Sequence, residues 1–301
     1  MSDGIVRPAI TLPDDVPALQ RLLQDHYYLA DRGLATAVHL AGRLGRPLLL
    51  EGDAGVGKTE VAKVLATALD VELIRLQCYE GIDSAQALYE WDYPRQLLHL
   101  RAVEASGRDP EDAESDLYAE RFLLERPLLR AIRAQGHAVL LIDEVDRADD
   151  EFEAFLLEVL ADFQVTVPEL GTIRAARPPL VVLTSNRTRE LHEALRRRCL
   201  YHWIDHPSIS READIVRLRA PEVPAELARR SAELVARLRG LDLFKPPGVA
   251  ETIDWARVLT LLDVEEVDPE TFEDTLGTVV KEHDDLIRVR AAIDDLLAAD
   301  A

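Results

Sequence analysis

The residues Arg46–Glu60 read Arg-Pro-Leu-Leu-Leu-Glu-Gly-Asp-Ala-Gly-Val-Gly-Lys-Thr-Glu. An apolar run of strand length, Leu48–Leu50, leads directly into a glycine-rich loop, and a helical pattern of apolar residues begins at Val61. A Gly-x-x-x-x-Gly-Lys-Thr sequence between a strand and a helix is typical of a phosphate-binding loop, or P-loop. The segment therefore predicts that the chain binds a nucleoside triphosphate.

The residue types in this loop suit contacts with phosphate. Glycines let successive backbone N–H groups point at phosphate oxygens, and the helix N-terminus adds a partial positive charge. Lys58 can reach the outer phosphates, and Thr59 can offer its hydroxyl to Mg²⁺. The predicted nucleotide-binding residues are Gly52, Asp53, Ala54, Gly55, Val56, Gly57, Lys58, Thr59 and Glu60. The alternative is a plain glycine-rich turn.

The overall composition is that of a globular protein. Of the 301 residues, 48% are hydrophobic and 30% are charged, and a chain of this length holds one large or two modest domains. No window approaches the ~20 apolar residues of a membrane span, and the N-terminus lacks an export-type signal, so we expect a cytoplasmic protein. The formal net charge of −21 would repel a polyanion, which makes nucleic acid a disfavoured partner.

Cys78 and Cys199 are the only cysteines. Two cysteines so far apart, with no companion histidine cluster, suggest neither a disulfide framework nor a zinc site. We interpret both as reduced, structural residues.

A second informative stretch, Ala138–Glu144, is a continuous apolar run that ends in two carboxylates. Such a run predicts a strand buried on both faces, and ligands in open α/β sheets bind at the carboxyl ends of the strands. We expect Asp143 to hold Mg²⁺ through water and Glu144 to orient or deprotonate the attacking water.

A third buried strand is predicted at Leu180–Ser185, and the only asparagine of the chain, Asn186, follows it. The amide of Asn186 is a candidate to hold the same water or the γ-phosphate. Capping of the next helix is the alternative.

Three adjacent arginines, Arg196–Arg198, precede an alternating strand at Leu200–Ile204. Such a run is usually a solvated face, but in a P-loop protein an arginine can be presented to the γ-phosphate of a neighbouring subunit. No buried strand is predicted after Pro207, and helical periodicity continues to the end of the chain. We therefore predict an α/β domain over residues 1–206 and a small all-helical domain over residues 207–301.

The remaining segments predict further elements. These are a helix near Leu22–Leu44, a strand at Val71–Leu76, a polar loop within Glu104–Glu125, an amphipathic helix over Phe152–Phe163 and a hairpin from Gln164 to Arg174. Tyr27, Tyr28 and Ala30 are candidates to lie beside a bound base. The aromatic and acidic residues between Gln77 and Tyr93 indicate either a contact surface or ordinary packing.

With these features in this order, the chain resembles an AAA+ ATPase and, more narrowly, the MoxR family. The subgroup it looks like is CoxD-like, on the segments Leu76–Gly81, Leu88–Tyr93 and Thr184–Leu191. The resemblance implies an α/β fold: a P-loop AAA+ core with a parallel sheet, a helix-2 insertion and a hairpin before sensor 1, followed by a small all-helical lid domain.

The resemblance also implies roles for individual residues. Lys58 and Thr59 match Walker A, Asp143 and Glu144 match Walker B, and Asn186 matches sensor 1. Arg198 matches the arginine finger, with Arg197 as the alternative. The chain departs from the family at sensor 2, since Arg257 comes one helical turn later than the usual arginine.

The function implied is that of a MoxR-type chaperone with ATP and Mg²⁺ as cofactors. It would form a homo-oligomeric ring, a hexamer, and remodel a client protein or metal-cofactor site. The partner implied is a von Willebrand factor A domain protein, and the client a molybdoenzyme such as carbon monoxide dehydrogenase during its maturation.

Two other classes of function remain open. The chain is alternatively an AAA+ nucleic-acid motor or clamp loader, or a nucleotide-dependent binding switch with little turnover. A GTPase is disfavoured because Arg187, not lysine, follows Asn186 where an Asn-Lys-x-Asp base-reading motif needs Asn-Lys.

Overall fold

The computed structural model describes residues 11–106, 116–134 and 138–298. The strands are β1 (Leu48–Gly52), β2 (Glu72–Gln77), β3 (Tyr89–Trp91), β4 (Leu123–Glu125), β5 (Ala138–Asp143), β6 (Gln164–Val167), β7 (Gly171–Arg174), β8 (Leu180–Ser185) and β9 (Leu200–Ile204). The helices up to β9 are α1 (Val16–Asp25), α2 (Arg32–Leu44), α3 (Lys58–Ala68), α4 (Ser84–Leu88), α5 (Tyr93–Ser106), α6 (Pro127–Arg133), α7 (Asp150–Asp162) and α8 (Glu193–Arg198). Those after β9 are α9 (Ile209–Arg219), α10 (Ala225–Gly240), α11 (Val249–Leu261), α12 (Pro269–Thr275), α13 (His283–Arg290) and α14 (Ile293–Ala298).

The described chain forms two compact units. The first contains the described residues up to His26, Ala30–Glu51 and Thr59–Trp203, and the second contains Tyr27–Leu29, Gly52–Lys58 and the residues from Ile204 onward. The predicted domain boundary at residue 206 stays a prediction.

The first unit is built on a five-stranded sheet in the order β2-β5-β8-β1-β9. The pairs β2–β5, β5–β8 and β1–β8 are parallel. Strands β1, β5 and β8 are buried along their whole length, because helices cover both faces of a parallel sheet and its strands then carry continuous apolar runs. The predicted fold class, an α/β P-loop core followed by a helical region, is confirmed.

Parallel pairing brings the polar ends of two neighbouring strands together. In the β5–β8 register, Ile142 lies opposite Leu183, so the residues that follow each of them leave the sheet at the same edge. Asp143, Glu144 and Asn186 therefore emerge on one side of the sheet.

One predicted helix is wrong. The segment Leu22–Leu44 is not continuous: α1 ends at Asp25 and α2 begins at Arg32. Tyr27 has a φ of 62°, a left-handed conformation that cannot continue a helix. Asp31 then caps α2, since its carboxylate accepts the backbone N–H of Leu34 at 2.7 Å, and this is a normal start signal for a new helix.

The segment between β2 and β5 forms an insertion of its own. Strands β3 and β4 pair antiparallel, and buried Trp91 of β3 makes edge contacts with the rings of Tyr89 and Tyr118. Tyr93, in contrast, has 64% of its surface exposed. Within the predicted polar segment Glu104–Glu125, residues 107–115, which include the loop-marking Gly107 and Pro110, lie outside the described residues.

The predicted hairpin is confirmed as β6 and β7, which pair antiparallel immediately before β8 in the sequence. The amphipathic helix predicted over residues 152–163 is confirmed as α7, with Phe152, Leu156, Val159 and Leu160 buried.

In the second unit, helices α9–α14 enclose a separate apolar core. Trp255 and Phe272 are fully buried there and stack edge to face at 5.6 Å between ring centroids. Trp255 also donates its indole N–H to the Thr275 hydroxyl at 2.9 Å, which satisfies the only polar group of the buried ring. Among the residues that the structure describes, no helix combines the length and apolar character that crossing a membrane requires.

Both cysteines are free and buried, and we therefore predict that their thiols react slowly in the folded protein. Burial, with a further contribution from the Asp143 carboxylate, raises the pKa of Cys78 to about 12. Burial raises the pKa of Cys199 to about 12, against a smaller lowering effect of the nearby Arg46 charge. The reactive thiolate forms only as the pH rises through the folded pKa, so at pH 8 both thiols are almost entirely protonated.

We therefore expect labelling by a disulfide reagent such as dithionitrobenzoate at pH 8 to be very slow in the native protein. The same chain in 6 M guanidinium chloride, about the strength that unfolds most domains, is the control and should label rapidly. Rapid native labelling at both positions would contradict the burial described here.

Candidate functional site

The P-loop is folded around its lysine. Lys58 has only 6% of its surface exposed, and its ammonium group donates to the carbonyls of Gly52 at 2.8 Å and Asp53 at 2.6 Å. Gly55 and Gly57 have φ values of 79° and 94°, which residues with a Cβ rarely adopt. The loop conformation therefore favours glycine at both positions, of which Gly57 is fixed by the motif and Gly55 stands at a variable position of it.

Within the same unit, the P-loop contacts the N-terminus of α11. The Val249 N–H donates to the Gly55 carbonyl at 3.0 Å. A Cβ added to Gly55 would lie 2.7 Å from the Gly248 Cα, so both glycines allow a close backbone approach. Glu251 accepts the Gly248 N–H at 3.0 Å and so caps the helix that makes this contact.

At the end of β5, Asp143 is buried, with 2% of its surface exposed. One carboxylate oxygen, Oδ1, accepts the hydroxyls of Thr59 at 2.8 Å and Thr184 at 2.6 Å. The other, Oδ2, accepts Nη2 and Nε of Arg75 at 2.6 and 3.1 Å. The structure thus brings together Thr59 and Asp143, the two residues predicted to hold a metal.

Oxygen ligands from one or two side chains, completed by water and substrate phosphates, are what Mg²⁺ usually takes in proteins. A threonine hydroxyl and a carboxylate oxygen 2.8 Å apart at the start of the P-loop helix fit that requirement.

Glu144 follows in a left-handed conformation, with a φ of 54°. Its backbone N–H donates to the Thr184 hydroxyl at 2.9 Å, and its side chain pairs with the Nε of Arg147 at 2.9 Å. Its carboxylate is only partly buried, so water can reach it.

Asn186 is held by a residue that the sequence analysis missed. Asp146 is buried, and its Oδ2 accepts the backbone N–H of Asn186 at 3.2 Å. The same oxygen accepts the backbone N–H and the hydroxyl of Thr188 at 2.8 and 2.7 Å. Asp146 therefore fixes the backbone of the loop that carries Asn186.

Arg75 and Thr184 were also missed. Arg75 stands in an alternating strand and Thr184 inside an apolar run, and neither position carries a motif. Their contact with Asp143 depends on which strands are neighbours, since β2 and β8 lie on either side of β5.

The two candidate finger arginines lie on the short helix α8, and both are exposed. Arg198 donates to the Leu157 carbonyl of α7 at 2.6 Å, while Arg197 forms an ion pair with Glu193 one turn earlier. Arg46 caps the end of α8 by donating to the carbonyls of Arg197 at 2.8 Å and Arg198 at 3.1 Å.

The segment that contains the P-loop, Asp143, Asn186 and the two arginines also assigns the chain to a family. The family model described as the AAA domain (dynein-related subfamily) matches residues 47–199, about half of the chain. The chain belongs to this AAA family.

Curated relatives of this AAA chain are distant. An uncharacterized protein of Staphylococcus haemolyticus (strain JCSC1435) is 24% identical over 192 residues, which is 62% of this chain and 65% of the relative. Chaperone protein ClpB 2 of Parasynechococcus marenigrum (strain WH8102) is 32% identical over 138 residues, covering 46% of this chain and 13% of that protein. The chain thus spans less than two thirds of the relatives' length.

Solved structures similar to this AAA chain include two of Thermotoga maritima RuvB. A point mutant of that protein is 19% identical, with a TM-score of 0.49, and the alignment covers 96% of this chain and 81% of that one. The Holliday junction branch migration motor is 18% identical, with a TM-score of 0.46, covering 95% and 80%.

In the second unit of this AAA chain, Arg257, the arginine one helical turn after the usual sensor 2 position, is engaged locally. It donates to a Glu222 carboxylate oxygen at 3.1 Å and to the Arg219 carbonyl at 2.7 Å. These contacts tie it to the end of α9 and the residues that follow. The structure therefore places Arg257 within the packing of the helical unit.

Tyr28 does lie beside the P-loop. Its ring carbon Cε2 is 4.0 Å from the position that a Cβ on Gly57 would occupy. Arg211 of α9 donates to the Leu29 carbonyl at 2.8 Å and so fixes the short segment that carries Tyr28.

Proposed function

We propose that this AAA chain binds and hydrolyses ATP with Mg²⁺. The observation that supports this best is the 2.8 Å contact between the Thr59 hydroxyl and the Asp143 carboxylate, because it joins the start of the P-loop helix to the acidic end of a central strand. A plain glycine-rich turn would need neither the buried Lys58 nor an acidic group at that position.

Each residue of the site has a proposed task. The backbone N–H groups of Gly52–Thr59 and the Lys58 ammonium bind the phosphates. Thr59 and Asp143 hold Mg²⁺, which neutralises charge on the phosphates when it is bound. Glu144 orients the attacking water and accepts its proton, and Asn186 positions the same water or the γ-phosphate.

The remaining charge is proposed to come from a neighbouring copy of the chain. Arg198 is exposed on α8, and its guanidinium is held by a hydrogen bond to the Leu157 carbonyl, which an anionic phosphate could replace. It can therefore be presented to another subunit's γ-phosphate. Arg197 is the alternative finger. This role requires a homo-oligomeric ring, which we propose to be a hexamer.

Tyr28 is proposed to lie beside the base, because its ring approaches the P-loop at Gly57. An aromatic face next to the phosphate site is suited to stacking on a planar base.

We propose further that the ring acts in the cytoplasm as a MoxR-type chaperone that remodels a client protein or metal-cofactor site. Similarity to a protein named as a chaperone and the CoxD-like segments Leu76–Gly81, Leu88–Tyr93 and Thr184–Leu191 support this reading. The partner proposed is a von Willebrand factor A domain protein, and the client a molybdoenzyme such as carbon monoxide dehydrogenase during maturation.

Steady-state ATP hydrolysis by the purified chain tests this function. We expect Mg²⁺-dependent phosphate release that added single- or double-stranded DNA does not stimulate, since the net charge is −21. Strong stimulation by DNA would instead favour a nucleic-acid motor. Tight ATP binding with no release of phosphate would favour a binding switch.

A further inference from the structure

Arg75 is the charged partner of Asp143. It lies on β2, where the parallel register places Arg75 opposite Leu141 and Gln77 opposite Asp143. From there its guanidinium reaches the end of β5 and places Nη2 at 2.6 Å and Nε at 3.1 Å from the same oxygen, Oδ2. A charge-assisted contact of this kind is among the stronger side-chain hydrogen bonds.

The two oxygens of Asp143 have different partners. The Thr59 and Thr184 hydroxyls donate to Oδ1, and these hydroxyls fix the carboxylate in the sheet edge. Oδ2 accepts the guanidinium. Burying a carboxylate is costly unless it is paired or hydrogen-bonded, and in this structure Arg75 supplies a cation in addition to the two hydroxyls.

Arg75 is much more exposed to solvent than Asp143. About half of the Arg75 side chain is exposed, against 3% for Asp143. Nη2 of Arg75 also donates to the side-chain oxygen of Gln77, two residues along the strand and therefore on the same face. Gln77 and solvent offer the guanidinium other partners if it leaves Oδ2.

We propose that Arg75 is a built-in counter-cation of Asp143 that opposes Mg²⁺ binding at the same carboxylate and so sets how much Mg²⁺ the site requires. The guanidinium already offsets the negative charge of this carboxylate and repels a second cation beside it, so metal binding must displace the guanidinium or act against its charge. Arg75 is thus a positioning residue that acts through Asp143. The inference rests on the proposed Mg²⁺-dependent nucleotide site.

The test is the variant Arg75→Met, which keeps much of the side-chain length and removes the charge. Mg²⁺ is titrated into the complex with a fluorescent ADP analogue, and the half-saturating Mg²⁺ concentration is measured. We expect it to fall by about three- to tenfold relative to the unsubstituted chain, the range for loss of one partly exposed competing charge. An unchanged or higher requirement would overturn the proposal.

Two variants control for effects other than competition. Arg75→Lys retains a cation and should stay closer to the unsubstituted chain than Arg75→Met does. Arg130→Met removes a half-exposed arginine that pairs with Glu72 at the opposite end of β2, and it should leave the Mg²⁺ requirement unchanged. A fall of equal size in Arg130→Met would show a general charge effect and overturn the proposal. If Arg75→Met unfolds, Arg75→Gln takes its place.

A second titration needs no nucleotide. Mn²⁺ alone is added to the nucleotide-free protein, and bound metal is followed by electron paramagnetic resonance. We expect tighter Mn²⁺ binding by Arg75→Met, and equal binding would overturn the inference. If instead the unsubstituted chain bound no nucleotide, the proposed function would fail, while the Mn²⁺ comparison would still decide the role of Arg75.

Discussion

Glu144→Gln is expected to lower the ATP turnover number by about two to four orders of magnitude and to leave ATP affinity close to that of the unsubstituted chain. Glutamine keeps the shape of the side chain, and the backbone N–H of residue 144 can still donate to Thr184. The change removes the negative charge of the carboxylate, and with it the surface ion pair to Arg147 and the proposed ability to accept a proton from the attacking water. Steady-state phosphate release and equilibrium binding of ATP measure the two quantities separately.

The matched control is Glu151→Gln, which makes the same change at an exposed position on α7 and should leave turnover unchanged. Turnover of Glu144→Gln within about twofold of the unsubstituted chain would be inconsistent with general-base catalysis by Glu144. The variant also distinguishes a chaperone that remodels its client from a nucleotide-dependent binding switch. It should arrest a remodelling chaperone in its ATP-bound state, whereas a binding switch, which needs little turnover, should keep its cellular function.

Glu212→Ala is expected to destabilise the helical unit by about 3–5 kcal/mol. Glu212 is fully buried on α9 and accepts Arg239 of α10 through both oxygens, at 2.6 and 2.8 Å. The Thr252 hydroxyl donates to the same carboxylate at 2.5 Å. Removing the carboxylate leaves a largely buried guanidinium without its counter-charge, and three helices lose a shared contact.

Trp255 provides a probe of this unit, because it is fully buried in the same core. With Trp91 and Trp203 replaced by phenylalanine, urea unfolding followed by tryptophan fluorescence reports on the helices alone. Glu226→Ala removes an exposed carboxylate that pairs with Arg229 on the surface of α10, and it should change the unfolding midpoint little. Equal midpoints for Glu212→Ala and Glu226→Ala would contradict the importance of the buried pair.

The central strands and helices could be predicted because local sequence and tertiary environment agree there. Runs such as Ala138–Asp143 and Leu180–Ser185 are apolar throughout most of their length, and only a strand covered on both faces buries all of such a run. The stretch from Leu22 to Leu44 was wrongly predicted as one helix because the helical spacing of apolar residues continues across the break between Asp25 and Arg32. The break depends on the left-handed Tyr27 and on the cap at Asp31. Aspartate is also common inside helices on the solvent side, so the apolar spacing on both sides of Asp31 hid its role as a cap.

The P-loop and the two carboxylates of the candidate site could be recognised because their spacing and context form a motif. The residues that hydrogen-bond to these groups could not be recognised from the sequence. Thr184, Arg75 and Asp146 act through partners that are about 40 to 70 positions away in sequence, and strand order and register alone bring them together. A buried polar residue in an apolar strand, as Thr184 is, was the one signal that could have pointed to such a role.

The claim on which the account depends is that Lys58 and the P-loop bind the phosphates of ATP. Lys58→Ala removes a buried cation, and loss of its charge-assisted contacts should weaken ATP binding by about 10- to 100-fold. Lys63→Ala is the matched control, since Lys63 lies on the same helix, is half exposed and pairs with Glu60 at 3.4 Å. Melting temperatures of both variants establish that the comparison is made on folded protein.

Equilibrium titration of ATP with Mg²⁺ into the unsubstituted chain, Lys63→Ala and Lys58→Ala is therefore the most direct measurement. We expect similar dissociation constants for the first two proteins and a dissociation constant about 10- to 100-fold higher for Lys58→Ala. If folded Lys58→Ala bound ATP as tightly as the unsubstituted chain, Lys58 and the P-loop would not be the phosphate-binding site.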